Sequence, residues 1–358
     1  MSRTSRRALA ALGALVLSLA GCDDVLLFDV DAQGRIICAV DADGRVAAVG
    51  QSGLRRHLVR LDPGTGQVDR LSAQPQPISW PRACGDQVVL IAGRRRLVQV
   101  GPRGARKLLE SELLLLQPTP SPTGDRVAVL EAARLGEPGT LRVIHTASRV
   151  EADEPIEGAL LGFAWAGDGL VVARLAGQGG AANALGRPDA RPFAGGEGEI
   201  LYVRGRERRV LHRGLLGGTT WIAPGNDAVT CVLPRKGDPS AYGLLRVDLD
   251  GRGREWGEAV EAHDLWPSAD ASGRLLFTRS VPDRPTLEGE LRLTSLATIG
   301  ASQRVVTRGP VVAPRRVKGD LVAYLTPGDR LVTQATDGSQ LVDWTEALRS
   351  ALALEAGQ

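Results

Sequence analysis

Aromatic residues make up only 4% of this 358-residue sequence, and there are just four histidines. His57, His145, His212 and His263 stand alone, and none takes the His-x-His or His-Glu-x-x-His spacing that sets two ligands on one metal. A formal net charge of +3 is too small to mark a nucleic-acid partner. No phosphate loop is present, since Gly177-Gln178-Gly179-Gly180 lacks the Gly-Lys-Ser/Thr that completes one. Gly50-Gln51-Ser52-Gly53 is not a Gly-x-Ser-x-Gly nucleophile elbow. Asp29-Val30-Asp31-Ala32-Gln33-Gly34 starts like a calcium loop, but Gln33 replaces an acidic ligand and Val40 stands where the bidentate Glu belongs. It reads as a hairpin turn. No catalytic residue, metal or cofactor is assigned.

Lysine is scarce too, with Lys107, Lys236 and Lys318 against a large excess of arginine, a bias read as compositional. What the chain does contain is 44 glycines and 21 prolines, which favours many turns over long helices. Its 43% hydrophobic and 24% charged residues are those of a protein that buries a core.

At the N-terminus Arg3, Arg6 and Arg7 precede an uncharged apolar run, Ala8 to Ala20. That run is shorter than the roughly 18 residues a spanning helix needs, so it reads as a secretory signal. It ends in Leu19-Ala20-Gly21-Cys22, which resembles the lipobox of bacterial lipoproteins. The resemblance implies that residues 1–21 are removed and that Cys22 carries the lipid. The protein is then expected in the cell envelope, facing the periplasm or the exterior. Asp23 and Asp24 resemble an inner-membrane retention signal of enteric lipoproteins, which leaves inner against outer membrane open.

Residues 22–358 read as one domain of repeats. Aligned on a turn glycine, the copies centre on Gly44, Gly85, Gly124, Gly169, Gly225, Gly273 and Gly319, spaced 41, 39, 45, 56, 48 and 46 residues apart. Such a period marks a repeat architecture. Trp80, Trp165, Trp221 and Trp266 each precede their turn glycine. Trp165-Ala166-Gly167-Asp168-Gly169 and Ser121-Pro122-Thr123-Gly124 resemble the unit of TolB-type β-propeller repeats. Asp62-Pro63-Gly64-Thr65-Gly66-Gln67 resembles a turn of quinoprotein-type propellers, but the tryptophan that should close it is absent there.

Each copy carries a second apolar strand, from Leu58-Val59-Arg60-Leu61 through Leu97–Val100, Leu141–Ile144, Leu201–Val203, Leu244–Val247 and Leu291–Leu293 to Leu331–Thr333. About four short strands per copy match one blade, so the expected fold is an all-β propeller of seven blades, with six or eight as alternatives. Val25–Val30 is expected to pair into the last blade and close the ring. Residues 344–356 should form a short helix outside that blade, and 176–199 a Gly-rich loop insertion. Cys38 and Cys84 are placed in neighbouring copies and form a candidate disulfide, the alternative being buried free thiols.

These features point to a monomeric, non-enzymatic module that binds an envelope protein or peptide. The alternative is a propeller enzyme or carbohydrate-binding protein with a site assembled from several blade loops.

Overall fold

The computed structural model describes residues 28–46, 55–133, 138–148, 156–176, 196–216, 222–225, 227–235, 238–261, 268–269, 274–280, 289–295, 304–309, 311–326 and 328–353. The described strands all pair antiparallel and follow one another as seven units. Unit one holds β1 (Phe28–Val30), β2 (Ile36–Val40), β3 (Arg55–Leu61) and β4 (Val68–Arg70). Unit two holds β5 (Gln76–Cys84), β6 (Gln87–Ala92), β7 (Arg96–Gly101) and β8 (Gly104–Glu110). Unit three consists of β9 (Leu114–Pro120), β10 (Arg126–Ala132) and β11 (Pro138–His145), and unit four of β12 (Ile156–Ala166), β13 (Gly169–Leu175), β14 (Gly196–Arg204) and β15 (Glu207–Leu216). Strand β12 serves both: Ile156–Ala159 pair with β11, whereas Leu160–Ala166 pair with β13.

Unit five comprises β16 (Ile222–Pro224), β17 (Ala228–Arg235), β18 (Asp238–Asp248) and β19 (Arg254–Glu261). Unit six comprises β20 (Ser268–Ala269), β21 (Arg274–Ser280), β22 (Gly289–Ser295) and β23 (Arg304–Arg308). Unit seven is β24 (Val312–Arg316), β25 (Leu321–Thr326), β26 (Arg330–Ala335) and β27 (Val342–Asp343), followed by helix α1 (Thr345–Ala353).

The first strands touch in chain order, β1 to β5, β5 to β9, β9 to β12, β12 to β16, β16 to β20 and β20 to β24, and β24 touches β1. This closed ring of radial sheets is a β-propeller. Position within a unit explains the composition of each strand. A second strand has neighbouring units on both faces, so it reads as a continuous apolar run rather than an alternation. All five residues of β2 (Ile36-Ile37-Cys38-Ala39-Val40) are buried, as are Val88 to Ala92 of β6. Outer strands meet water: β8 (Gly-Ala-Arg-Lys-Leu-Leu-Glu) buries only Leu108 fully.

Arginine fastens one unit to the next. Arg60 Nη2 donates to the Asp86 carbonyl oxygen at 3.1 Å, Arg126 Nη2 to that of Asp168 at 3.1 Å, and Arg209 Nη1 to that of Leu249 at 2.9 Å. Arg106 reaches the Thr146 carbonyl in the same way. A guanidinium carries five donors on a long stem, so one side chain can leave its own strand and satisfy a carbonyl of the neighbouring unit. The tryptophan marker has the same role. Trp165 Nε1 donates to the Thr119 carbonyl oxygen at 2.7 Å, and the Arg126 guanidinium lies 4.7 Å from its ring centroid. Trp221 and Trp266 lie outside the described residues.

Three sequence expectations change. First, β1 pairs with β2 as the innermost strand of unit one, and β24–β27 supply four strands of unit seven by themselves. Among the described residues no N-terminal strand enters the last unit.

Second, α1 packs on the first unit, touching β4, rather than outside the last one. Leu348 and Leu352 share one core cluster with Val46, Leu58 and Leu331. Trp344 Nε1 donates to Thr333 Oγ1 at 2.9 Å, and Val46 N to the Asp329 carbonyl at 2.8 Å, so units seven and one are clasped by the helix and its approach. The helix has a local reason to start where it does: Asp343 Oδ1 accepts Thr345 N at 3.0 Å, and Glu346 sits in the first turn where the helix dipole favours an anion.

Third, the aligned turn glycines do not all stand at the same place in their units: Gly85, Gly124 and Gly319 lie between a first and a second strand, and Gly44 does not. Gly34 does, in the β1–β2 turn, while Gly44 follows β2. Both turns have Asp Oδ1 accepting the backbone N–H groups two and four residues on. The hairpin reading of Asp31–Gly34 holds. The loop insertion is also shorter than expected at its end, because Gly196–Glu199 pair with β15 as the start of β14.

Candidate functional site

The innermost strands carry few charges. Apart from Glu157, in the part of β12 that pairs with β11, they are Asp29 on β1, Arg82 on β5, and Arg315 and Arg316 on β24. Those strands are neighbours in the ring, belonging to units one, two and seven. Adjacent strands thus carry one carboxylate and three guanidiniums.

Backbone irregularities set both site arginines. In β5 the register shifts between Ser79 and Arg82, and Trp80 takes φ of 53°. In β24 it shifts between Val312 and Arg315, and Ala313 takes φ of 51°. Each positive-φ residue is followed by proline and then arginine: Trp80-Pro81-Arg82 and Ala313-Pro314-Arg315. A bulge adds one residue on one strand and re-aims the side chains beside it, and a positive φ at a non-glycine residue stores about 1–3 kcal/mol. The same bulge occurs in β9 at Gln117 (φ 51°), where Gln117-Pro118-Thr119 places a neutral residue at the arginine position.

Arg82 Nη1 lies 3.5 Å from Asp29 Oδ1, with both side chains about one-fifth exposed. Asp29 Oδ2 accepts the Ala83 backbone N–H at 3.1 Å. Arg82 Nε is buried with no hydrogen-bond partner among the described residues. Arg315 Nη1 donates to the Pro314 carbonyl at 3.0 Å. Burial, and then the Arg82 charge, push the Arg315 pKa down to about 10, with Asp29 pulling it back up, so it stays a cation at neutral pH. Arg316 turns to its own hairpin, at 3.3 Å from the Gly319 carbonyl and 3.8 Å from Asp320. Such a site can hold an anionic group; guanidiniums that keep their protons do not shuttle them.

The residues singled out from sequence lie elsewhere. Cys22, His263, Gly50–Gly53 and Gly177–Gly180 are outside the described residues. His57, His145 and His212 fall on β3, β11 and β15 of three different units. No group of three His, Cys, Asp or Glu able to hold a metal occurs among the described residues. Ser121 is bound within its turn: its hydroxyl donates to Asp125 Oδ1 at 2.8 Å and its Oγ accepts Arg126 N at 3.1 Å. The Thr123 and Ser121 hydroxyls hold the Asp125 carboxyl below its usual range, which makes this a turn cap rather than a nucleophile with a base. A cavity of about 440 Å³ lined by Asp320, Leu321, Thr336 and Asp337 sits between the β24–β25 and β26–β27 turns of unit seven, and none of its lining residues is Asp29, Arg82 or Arg315.

Cys38, Cys84 and Cys231 are free and buried, and Cys84 Sγ faces the Gly124 carbonyl at 3.3 Å. The two thiols considered as a pair are thus separate in this structure. Burial raises the Cys84 thiol to about 11, with Asp125 adding to it, and burial alone raises Cys231 to about 12 and Cys38 further still. The thiolate is the reactive form. In a Cys22→Ala variant, we expect no reaction of these thiols with an aromatic disulfide reagent at pH 8 while folded. All three should react after unfolding without reductant. Fewer than three would reveal a disulfide.

No protein-family model and no curated protein sequence matches this chain. Solved structures do. An acylaminoacyl peptidase from Pyrococcus horikoshii matches over 91% of this chain and 54% of its own, at 12% identity and TM-score 0.64. The chain thus spans about half the length of that peptidase. The β-propeller domain of the Trilobed protease from Pyrococcus furiosus, described as having an open velcro topology, matches over 89% of this chain and 97% of its own, at 10% identity and TM-score 0.61. TolB from Acinetobacter baumannii matches over 88% and 77%, at 12% identity and TM-score 0.49. At these identities the first two show the fold, a β-propeller.

Proposed function

We propose that this chain is a lipid-anchored protein of the bacterial cell envelope whose seven-bladed propeller is a non-enzymatic binding module for an envelope protein or peptide. The observation that carries the binding reading is the Arg82–Asp29 pair at the inner ring, with Arg315 on the neighbouring innermost strand β24 within electrostatic reach of both. Permanently protonated, fork-shaped donors recognise carboxylates and phosphates and do little acid–base work at neutral pH. The lipobox-like Leu19-Ala20-Gly21-Cys22 supports the anchor. None of the described helices is long and apolar enough to cross a membrane.

In-cell photo-crosslinking tests the module. A crosslinker at Asp86 or Asp320, on turns that join first and second strands, is expected to give one reproducible protein adduct. Arg315→Gln should abolish it without changing protein level. Absence of an adduct from either these turns or the opposite face, at Arg95 or Arg330, would overturn the proposal. The alternative, a propeller enzyme or carbohydrate-binding protein with a site built from several loops, gains support only if turnover or glycan binding is lost in the same variant.

A further inference from the structure

We infer that Arg82 and Arg315 form an oxyanion-binding site at the inner ring, made for one carboxylate or phosphate group, with Asp29 as the internal anion that the ligand displaces or supplements. The inference deepens the binding reading above and rests on it for the site's biological use, though not for its chemistry.

Three observations carry it. The charge count is the first: Arg316 Nη2 turns to Gly319 and Asp320, which leaves Arg82, paired with Asp29, and Arg315, on the strand that touches β1 from the other side, with one carboxylate between two cations. Asp29 cannot neutralise both. One of its oxygens is taken by the Ala83 N–H, and the other stands 3.5 Å from Arg82, well beyond the roughly 2.7–2.9 Å of a strong charge-assisted bond. The second observation is the open valence. Arg82 Nε is buried without a partner among the described residues, and the bond that Arg315 Nη1 makes is to the neutral carbonyl of the residue before it. A buried donor left unsatisfied is costly, and an oxyanion with two lone-pair-bearing oxygens satisfies it. The third is construction. Both arginines follow a positive-φ residue and a proline in a bulged innermost strand, so the same strained device presents the two cations from units flanking that of Asp29. In β9 the same device holds Thr119, whose carbonyl is used by Trp165. The bulge is scaffold and the arginine is the addition.

The test is anion-dependent thermal stabilisation of the full-length protein in detergent, with inorganic phosphate, succinate or chloride at equal ionic strength. Saturable stabilisation by phosphate or succinate beyond chloride is expected. A short peptide with a free C-terminal carboxylate against its amidated form separates a carboxylate ligand from a phosphate one. Arg82→Gln and Arg315→Gln should each weaken binding at least tenfold. Arg315→Lys, which keeps the charge but loses the fork, should weaken it by a smaller factor. Asp29→Asn should tighten it, because the competing carboxylate is gone. A merely structural Arg–Asp cluster gives the opposite sign at Asp29, with no anion effect. Stabilisation equal to that in chloride, or unchanged in the arginine variants, overturns the inference. An anion effect without any crosslinked partner would leave this site standing and sink the partner reading; a crosslink without an anion effect does the reverse.

Discussion

Leu348→Ala is expected to lower the unfolding free energy by about 2–5 kcal/mol, the range for deleting a large aliphatic side chain from a packed core. Leu348 is fully buried on α1, and the cluster it joins draws on units one, two, three and seven. Strand pairing joins unit one to two and unit three to four, but among the described residues no strand pairs between units seven and one. The helix bridges that junction, so losing its anchor should open the ring there. Gly44→Val attacks the same junction from the other side. A Cβ there would stand 2.3 Å from the Thr345 carbonyl oxygen, and the backbone already has φ of 77°, a conformation that costs a non-glycine residue about 1–2 kcal/mol before any clash. Arg349→Ala, an exposed change on the same helix, is the control and should stay within about 0.5 kcal/mol. Urea unfolding of the three variants checks this. If Leu348→Ala behaves like the control, the helix does not close the ring.

Cys22→Ala is expected to move the protein from the membrane to the soluble fraction entirely and to abolish metabolic palmitate labelling. The size of the effect follows from anchoring energetics. Each buried CH2 adds about 0.8 kcal/mol, so one acyl chain binds marginally while several attach a protein for good. Five residues lie between Cys22 and Phe28, and the six residue steps reach about 20 Å at full extension. Strand β1 starts at the end of unit one where β2 finishes, as the pairing of Phe28 with Cys38 requires. On our proposal the propeller face bearing the β2–β3 and β6–β7 connections is therefore held near the bilayer, and the β1–β2 turn faces away. Unchanged fractionation of the variant would end the lipoprotein reading.

One strand of every unit was legible in the sequence, though read there as the second of its copy: the segments opening at Leu58, Leu97, Leu141, Leu201, Leu244, Leu291 and Leu331 lie on β3, β7, β11, β14, β18, β22 and β26, each the third strand of its unit. They were legible because strand burial imprints itself locally, through apolar runs bounded by turn residues. The phase of unit one was not. Asp31-Ala32-Gln33-Gly34-Arg35 and Asp41-Ala42-Asp43-Gly44-Arg45 are nearly the same turn, with the same Asp hydrogen bonds, and nothing within either tells which lies at the inner end of β2.

The arginine site was missed although a signal existed, the recurrence of proline–arginine after Trp80 and Ala313. Read alone, a proline in a strand-like stretch argues for an edge or a break. Only the ring shows both prolines on innermost strands, whose edge toward the centre of the ring has no further strand to bond.

By itself, then, the sequence determined an all-β repeat, its turns and one strand segment in every copy, because each of these is written in residues a few positions apart. The tertiary structure alone decided that a helix rather than a strand bridges the first and last units, and that Asp29, Arg82 and Arg315, up to 286 residues apart, share one place. Closure of a ring joins residues that are distant along the chain, and no local pattern encodes which ones will meet.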